Sequence, residues 1–217
     1  MTDPFDPAPP ASPVSEDPDG YAGLLCARLC HDLISPAGAV GNGVELLQEL
    51  GGAAGPELEL VARSAGQVTA ALQFLRLAFG TAGAEDRVSL DGLSRIVRPW
   101  FDHQRPVLRW PEAPAELSLR EARLLANLLQ IAVSVLPRGG EVAVEAAPGR
   151  LSVHAAGRSL LIPEPSRDWL AGAPGLPLPS PRDLHWLVAA RSAAACAMAL
   201  DLETADALAS LTARGRA

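Results

Sequence analysis

One short segment contains a histidine whose neighbours could make it a nucleophile: Cys30-His31-Asp32-Leu33-Ile34-Ser35-Pro36. An exposed imidazole can attack near neutral pH because its neutral form is abundant there. The carboxylate of Asp32 can accept a hydrogen bond from one ring nitrogen, which fixes the tautomer and leaves the other nitrogen free. The hydroxyl of Ser35, one helical turn further on, can donate to an anionic oxygen or hold a water. We therefore predict His31 as the catalytic residue, with Asp32 and Ser35 assisting it.

The helix face that carries His31 is predicted to be exposed and to bind a partner. If Cys26 and Leu33 occupy heptad position a, His31 falls at position f, which points away from the apolar stripe. The same face carries, at spacings of three or four residues, Leu24, Arg28, Ser35, Gly38 and Asn42. Arg28 could steady negative charge, and Gly38 offers a flat surface to a partner backbone. We predict partner contacts at Leu24, Arg28, Gly38 and Asn42.

Two amphipathic helices are predicted to support this face. The first spans residues 21 to 50, with apolar residues at Cys26, Leu29, Leu33, Ala37, Val40, Val44, Leu47 and Leu50. Pro36 should bend it. Glycines at 51, 52 and 55 end it, and Pro56 suits the first turn of a second helix. That helix has apolar residues at strict spacing, at Leu58, Val61, Ala65, Val68, Leu72, Leu75 and Phe79.

Two apolar stripes joined by a short glycine-rich loop predict an antiparallel helical hairpin over residues 21–82. Two helices cannot cover both stripes by themselves. We therefore predict a homodimeric four-helix bundle, the alternative being that the hairpin packs onto the rest of the same chain. Cys26 and Cys30 are assigned to the stripe as small core residues.

From residue 85 onward helices alternate with short strands. Helices are predicted near residues 90–103, 119–136 and 183–196, and strands near 107–110, 141–146, 151–154, 198–203 and 207–212. Residues 163–181 contain many prolines and are predicted to form a loop. This order predicts an α+β fold in which the hairpin is followed by an α/β sandwich over residues 85–217.

Composition excludes several classes of function. The chain has 217 residues and a net charge of −7 without clusters of basic residues along the sequence, which argues against a nucleic-acid partner. No apolar run approaches the roughly 20 residues that span a bilayer, and we see no signal peptide. Three cysteines form no disulfide framework, which favours the cytoplasm. Residues 1–20, with six prolines and five acidic residues, are predicted to be a disordered tail.

Three other interpretations of the histidine segment have less support in the sequence. A lone exposed histidine is most often an ordinary surface residue. Cys26, Cys30 and His31 could bind zinc, but Cys30 and His31 point about 100° apart on one helix, and no fourth ligand is evident. Attachment of haem needs two residues between the cysteines, whereas three separate them here.

The segment Leu29 to Pro36 resembles the phospho-acceptor box of sensor histidine kinases. The longer run from Leu25 to Leu47, including Gly41-Asn42-Gly43-Val44-Glu45-Leu46-Leu47, resembles more closely the ChpT-type histidine phosphotransferases of alphaproteobacteria. The resemblance implies a dimeric hairpin joined to a degenerate kinase ATPase domain. It also implies that His31 takes a phosphoryl group from the receiver domain of a hybrid histidine kinase and passes it to receivers of cell-cycle response regulators such as CtrA-like proteins.

The resemblance to kinase ATPase domains breaks down at their nucleotide-binding positions. In the run Asn127-Leu128-Leu129-Gln130-Ile131-Ala132, the magnesium-binding Asn would fall on Ile131 and a basic residue on Ser134. The Asp that binds adenine would fall on Ala155. Hydrocarbon side chains cannot coordinate Mg²⁺. We therefore expect no cofactor in this chain, with Mg²⁺ supplied by the partner receiver. The alternatives are an ATP-dependent histidine kinase core and a non-catalytic module that binds receivers.

Overall fold

The computed structural model describes residues 18–49, 55–80, 86–112, 114–173 and 176–215. The predicted pair of long helices is confirmed: α1 spans Pro18–Glu49 and α2 spans Pro56–Phe79. Helix α1 includes the last three residues of the predicted tail, 18–20, and a proline is tolerated in a first helical turn, where no N–H partner is needed. The remainder of the predicted tail, residues 1–17, lies outside the described residues.

The face of α1 that packs in the chain is rotated from the predicted stripe. Pro36 and Gly43 are buried, whereas Ala37 and Val44 are exposed. A Cβ atom at Gly43 would overlap the side chain of Val61 on α2, so this glycine lets the two helices approach closely. Close approach at Gly43 therefore sets which side of α1 faces α2.

The assignment of Cys26 and Cys30 to the core is wrong for the single chain, because both are exposed. Helix α2 shows the same rotation at Leu58 and Leu72, whose side chains are 48% and 49% exposed. The single chain therefore buries a different face of each helix and leaves the predicted apolar stripe partly open to solvent.

The second half of the chain is a five-stranded sheet covered by helices, as predicted. The strands of the described residues are β1 (Arg87–Ser89), β2 (Val107–Arg109), β3 (Glu116–Ser118), β4 (Glu141–Ala147), β5 (Arg150–Ala156), β6 (Met198–Ala205) and β7 (Leu208–Gly215). Strands β1 and β3 form a separate pair outside the main sheet. The main sheet has the order β2-β4-β5-β7-β6, with β2 parallel to β4 and the other pairs antiparallel. The main helices are α3 (Leu90–Phe101), α4 (Leu119–Ser134) and α6 (Leu184–Ala195).

Helix α4 lies at the centre of this core. Its N-terminus is closed by a capping box in which Ser118 and Glu121 each bond the backbone N–H of the other. On its far side, Asn127 is fully buried, and its amide donates to the carbonyl of Ala78 over 2.9 Å. The end of α2 also inserts Phe74 into the same core. The hairpin is therefore anchored to the α/β part through the last turns of α2.

Sequence patterns missed the shortest elements. Strands β1 and β3, of three residues each, pair with one another beside the main sheet. The predicted loop, residues 163–181, contains a helix α5 (Ser166–Ala171), which buries Trp169, and a 3₁₀ turn, Pro181–Asp183, begins at its last residue. The indole N–H of Trp169 donates to the carbonyl of Pro177, so the proline-rich stretch wraps around this side chain. Among the described helices, none is both long and apolar enough to cross a membrane.

Candidate functional site

His31 lies on the exposed side of α1, with half of its side-chain surface open to solvent. Its Nδ1 atom is 3.1 Å from Oδ1 of Asp32, which is 22% exposed. A carboxylate can only accept, so this contact requires a proton on Nδ1, and in the neutral ring the lone pair is then on Nε2. The hydrogen bond predicted from their adjacency is confirmed. Because Nε2 has the lone pair, it is the nitrogen that can attack an electrophile.

The second oxygen of Asp32 is held by Arg28. The Nε atom of Arg28 donates to Oδ2 of Asp32 over 2.8 Å, one helical turn away. Its Nη1 atom donates to the carbonyl of Arg182, in the 3₁₀ turn before α6, over 2.6 Å. The Arg28 side chain is only 15% exposed. Arg28, which was predicted to steady negative charge and to contact a partner, therefore has two partners within the chain.

Pro36 removes a backbone hydrogen bond that the carbonyl of Asp32 would otherwise accept. In an α-helix the amide of residue 36 would bond the carbonyl of residue 32, but proline has no N–H. Helix α1 nevertheless continues through Pro36, which is buried. The carbonyl of Asp32 consequently loses its usual helical partner at the turn that follows His31.

An open cleft of about 330 Å³ lies between this part of α1, helix α2 and the α/β half of the chain. The α1 wall consists of Arg28, His31, Asp32, Ser35 and Pro36. The opposite walls come from Gln67, Ala71, Leu75, Trp100, His103, Gln104, Gln130, Val133 and Ser134. The structure thus brings the predicted catalytic residues together, and adds polar residues such as Gln130 and Ser134 that sequence reasoning did not place at the site. Their sequence signal was polar character within residues 128–134 of α4, which are otherwise apolar.

A buried histidine lies behind the Ser134 side of the cleft. The Nε2 atom of His185 is 3.1 Å from Oγ of Ser134, whose hydroxyl donates to the carbonyl of Ile131 over 2.8 Å. Complete burial lowers the pKa of His185 well below its ordinary value, and the positive charge of Arg28 lowers the same pKa further. His185 is therefore neutral at neutral pH.

The residues predicted to contact a partner are only partly exposed. Gly38 and Asn42 are exposed, and a Cβ atom at Gly38 would meet no atom within 4 Å. Leu24 was predicted to be exposed but is half-buried. The reason lies in its position one turn before Arg28, where α1 contacts the 3₁₀ turn. Gly38 and Asn42 thus remain the open part of the predicted face.

The positions aligned with nucleotide-binding residues of kinases lie in the hydrophobic core. Ile131 on α4 and Ala155 on β5 have no exposed surface. Ser134, at the position aligned with a basic residue, bonds His185 instead. None of these three side chains presents a charged group.

The sequence of the α/β half decides the family. Residues 90–208 match the family model described as "Histidine phosphotransferase C-terminal domain". The chain belongs to the histidine phosphotransferases. The match covers α3 through the beginning of β7 and includes Ile131 and Ala155, so the departures from kinase motifs occur within a recognised phosphotransferase domain.

Comparison with individual proteins agrees with this family. The protein phosphotransferase ChpT of Brucella abortus (strain 2308) is 37% identical over 155 residues, which are 69% of this chain and 74% of that protein. A solved structure titled as a bacterial phosphotransferase superposes with a TM-score of 0.76 and 29% identity, covering 93% of this chain and 99% of the other. This histidine phosphotransferase is thus an enzyme of a phosphorelay.

Proposed function

We propose that His31 is the residue that this phosphotransferase phosphorylates and dephosphorylates. The observation that carries the proposal is the hydrogen bond between Nδ1 of His31 and Asp32, on a ring that is half exposed beside an open cleft. A fixed proton on Nδ1 leaves the lone pair of Nε2 directed at solvent. A histidine phosphotransferase needs a histidine nucleophile, and this hydrogen bond leaves Nε2 of His31 free to act as one.

The transfer requires a nucleophile from this chain and a phosphorylated donor and an acceptor from its partners. The lone pair of Nε2 attacks the phosphorus of a phospho-aspartate, and the bond between phosphorus and the aspartate oxygen breaks, with its electron pair remaining on the aspartate. The imidazole then carries the phosphoryl group on Nε2 while Nδ1 keeps its proton toward Asp32. Attack by the carboxylate of a second aspartate reverses the step. Positioning and charge stabilisation are the main needs of such a transfer.

The donor and the acceptor are proposed to be receiver domains: one of a hybrid histidine kinase and others of response regulators, CtrA-like proteins among them. Membership in a phosphorelay family supports receivers as partners. Mg²⁺ would come with the receiver, because Ile131 and Ala155 present hydrocarbon where kinases bind metal and nucleotide. A cytoplasmic place of action belongs to the same proposal.

We further propose that two copies form a four-helix bundle through the hairpin. The side of α1 next to His31 exposes small or apolar residues at Cys26, Cys30, Ile34, Ala37 and Val44. These residues lie within about 80° on a helical wheel. The matching strip of α2 exposes Leu58, Ala65 and Leu72. A second copy would cover both strips, which the α/β half of the same chain leaves open.

The test of the acceptor is transfer of labelled phosphate from a phosphorylated receiver to full-length variants. His31→Gln should abolish the acid-labile, base-stable label while the circular dichroism spectrum stays unchanged, since the residue is exposed. His103→Gln, from another wall of the cleft, and His154→Gln are the matched controls and should accept phosphate normally. Label that persists in His31→Gln would place the acceptor elsewhere. Label acquired from ATP alone would favour a kinase, and binding without label would favour a non-catalytic module.

A further inference from the structure

Arg28 connects His31 to a segment that is distant in the sequence. Its guanidinium donates to Oδ2 of Asp32 over 2.8 Å and to the carbonyl of Arg182 over 2.6 Å, although Arg28 and Arg182 are 154 residues apart. The other oxygen of Asp32 is 3.1 Å from Nδ1 of His31. An unbroken series of hydrogen bonds therefore runs from the 3₁₀ turn before α6, through Arg28 and Asp32, to the imidazole.

The hydrogen bonds of this series restrict the orientation of the Asp32 carboxylate. A guanidinium is a rigid planar fork, so two acceptors fixed at different nitrogens determine its orientation. With Oδ2 held by Arg28, the carboxylate of Asp32 keeps Oδ1 toward the ring of His31. The partial burial of Arg28 and Asp32, at 15% and 22% exposure, reduces the screening of this ion pair by solvent and salt.

The 3₁₀ turn at the far end of the series is held by two hydrogen bonds of its own. The amide of Asp183 donates to the carbonyl of Ser180 over 2.9 Å, and the hydroxyl of Ser180 donates to Oδ2 of Asp183 over 2.6 Å. These two bonds close the turn that presents the carbonyl of Arg182. The neighbouring His185 is neutral, so it adds no positive charge that would repel Arg28.

We propose that Arg28 is a positioning residue through which the C-terminal α/β unit sets the orientation and tautomer of His31. This inference rests on the proposed function, in which His31 accepts the phosphoryl group. It gives the α/β unit a role other than nucleotide binding. The positions aligned with nucleotide-binding residues of kinases are Ile131 and Ala155 in this chain. Arg28 acts through Asp32 and does not touch the phosphoryl group.

The first experiment separates positioning from receiver binding. Single-turnover transfer from a phosphorylated receiver is measured over a range of receiver concentrations for wild type, Arg28→Met, Arg28→Lys and Arg63→Met. Arg28→Met should lower the rate at saturating receiver about tenfold, a loss typical of an outer hydrogen-bond partner of a functional histidine. The half-saturating receiver concentration should stay within about twofold. Arg28→Lys should be intermediate, because one ammonium cannot reproduce the planar fork.

Arg63→Met is the matched control, because it removes an exposed arginine from α2 and should transfer like wild type. Circular dichroism on every variant tests the fold, and Arg28→Lys remains informative if Arg28→Met unfolds. Phosphate acceptance by wild type, with its loss in His31→Gln, is established beforehand. A failure of Arg28 to matter is therefore distinguishable from a failure of His31 to be the acceptor.

The second experiment observes the ring directly. Nitrogen-15 NMR of labelled histidine, with the His31 signals assigned by their loss in His31→Gln, should show one dominant tautomer with the proton on Nδ1. In Arg28→Met these signals should move toward a mixture of the two tautomers. Ser180→Ala, which weakens the turn, should slow transfer about twofold in wild type and have no further effect in Arg28→Met, as expected for residues that act in series.

Three results would overturn the proposal. Equal rates for Arg28→Met and wild type would remove Arg28 from the reaction. A raised half-saturating concentration with an unchanged saturating rate would make Arg28 a receiver contact, the role that its place on the helix face predicts. An unchanged tautomer in Arg28→Met would show that Asp32 holds the ring without its help.

Discussion

The Nδ1 atom of His31 lies 3.1 Å from Oδ1 of Asp32, the next residue on the same helix. Consecutive helical residues point about 100° apart, so this contact requires both side chains to turn toward one another. Arg28 holds Asp32 from the other side. The adjacency that identified the site in the sequence is thus also the contact that fixes the ring.

Replacement of Asp32 by Asn should slow phosphoryl transfer by about 10- to 100-fold, in the range seen when an outer partner of a functional histidine is lost. An amide can donate to Nδ1, which would stabilise the opposite tautomer and place the proton on the attacking nitrogen. The half-saturating receiver concentration should change little. Rapid-quench transfer assays measure both quantities. Equal saturating rates for Asp32→Asn and wild type would show that the ring needs no orienting carboxylate.

Replacement of Gly38 by Leu should weaken receiver binding by about 1–3 kcal/mol, a hot-spot-like amount. A Cβ atom at position 38 would meet no atom of this chain within 4 Å, so a loss of affinity would come from contact with the partner. Leu should itself favour the helix by roughly 1 kcal/mol relative to Gly. Gly66→Leu on α2, equally open, is the matched control for that gain. Isothermal titration with a receiver measures the affinity, and wild-type affinity for Gly38→Leu would move the docking face away from Gly38.

Leu24→Asp should also weaken receiver binding, because Leu24 lies on the same helix face. Because Leu24 is half-buried, part of any loss of affinity can come from disturbed packing of α1 against the α/β unit. Thermal unfolding of the variant measures that part. A variant that keeps both wild-type stability and wild-type affinity would exclude Leu24 from the docking face.

Leu72→Asp should convert the proposed dimer to a monomer without unfolding the chain. Leu72 is 49% exposed in the single chain, so the charge stays solvated in the monomer and is buried only in the dimer. Sedimentation equilibrium at micromolar concentration measures the assembly, and circular dichroism the fold. Gln73→Asp, at an exposed neighbouring position off the strip, should remain dimeric. Wild-type protein that sediments as a monomer would refute the four-helix bundle.

The free energy of unfolding should decrease as the pH falls below about 6.5, the ordinary pKa of histidine. Burial, followed by the charge of Arg28, lowers the pKa of His185 in the folded state. The unfolded chain therefore binds the proton first, and each pH unit below 6.5 costs up to about 1.4 kcal/mol of stability. His185→Gln, whose amide can replace Nε2 toward Ser134, should flatten this dependence in urea unfolding. The control His154→Asn should retain it, and a His185→Gln profile as steep as wild type would assign it to another group.

Short-range features of this protein were accessible from the sequence. The helical hairpin follows from apolar spacing and from glycine and proline punctuation. His31 is exposed as predicted, although the heptad register used for that prediction places Cys26 in the core, where the single chain does not bury it. The five strands of the main sheet follow from runs of β-branched and apolar residues. Strands β1 and β3 were missed because each has three residues with a single apolar side chain, and they pair only with one another. Helix α5 was missed because prolines surround it and its packing depends on Trp169.

The sequence by itself determined that Asp32 adjoins His31 and lies one helical turn after Arg28, since helix geometry keeps residues four positions apart on one face. Only the tertiary structure decided which side of α1 faces α2, because that depends on the close approach at Gly43 to Val61. It also decided the second partner of Arg28, because a carbonyl 154 residues away is brought there by packing and has no local signal.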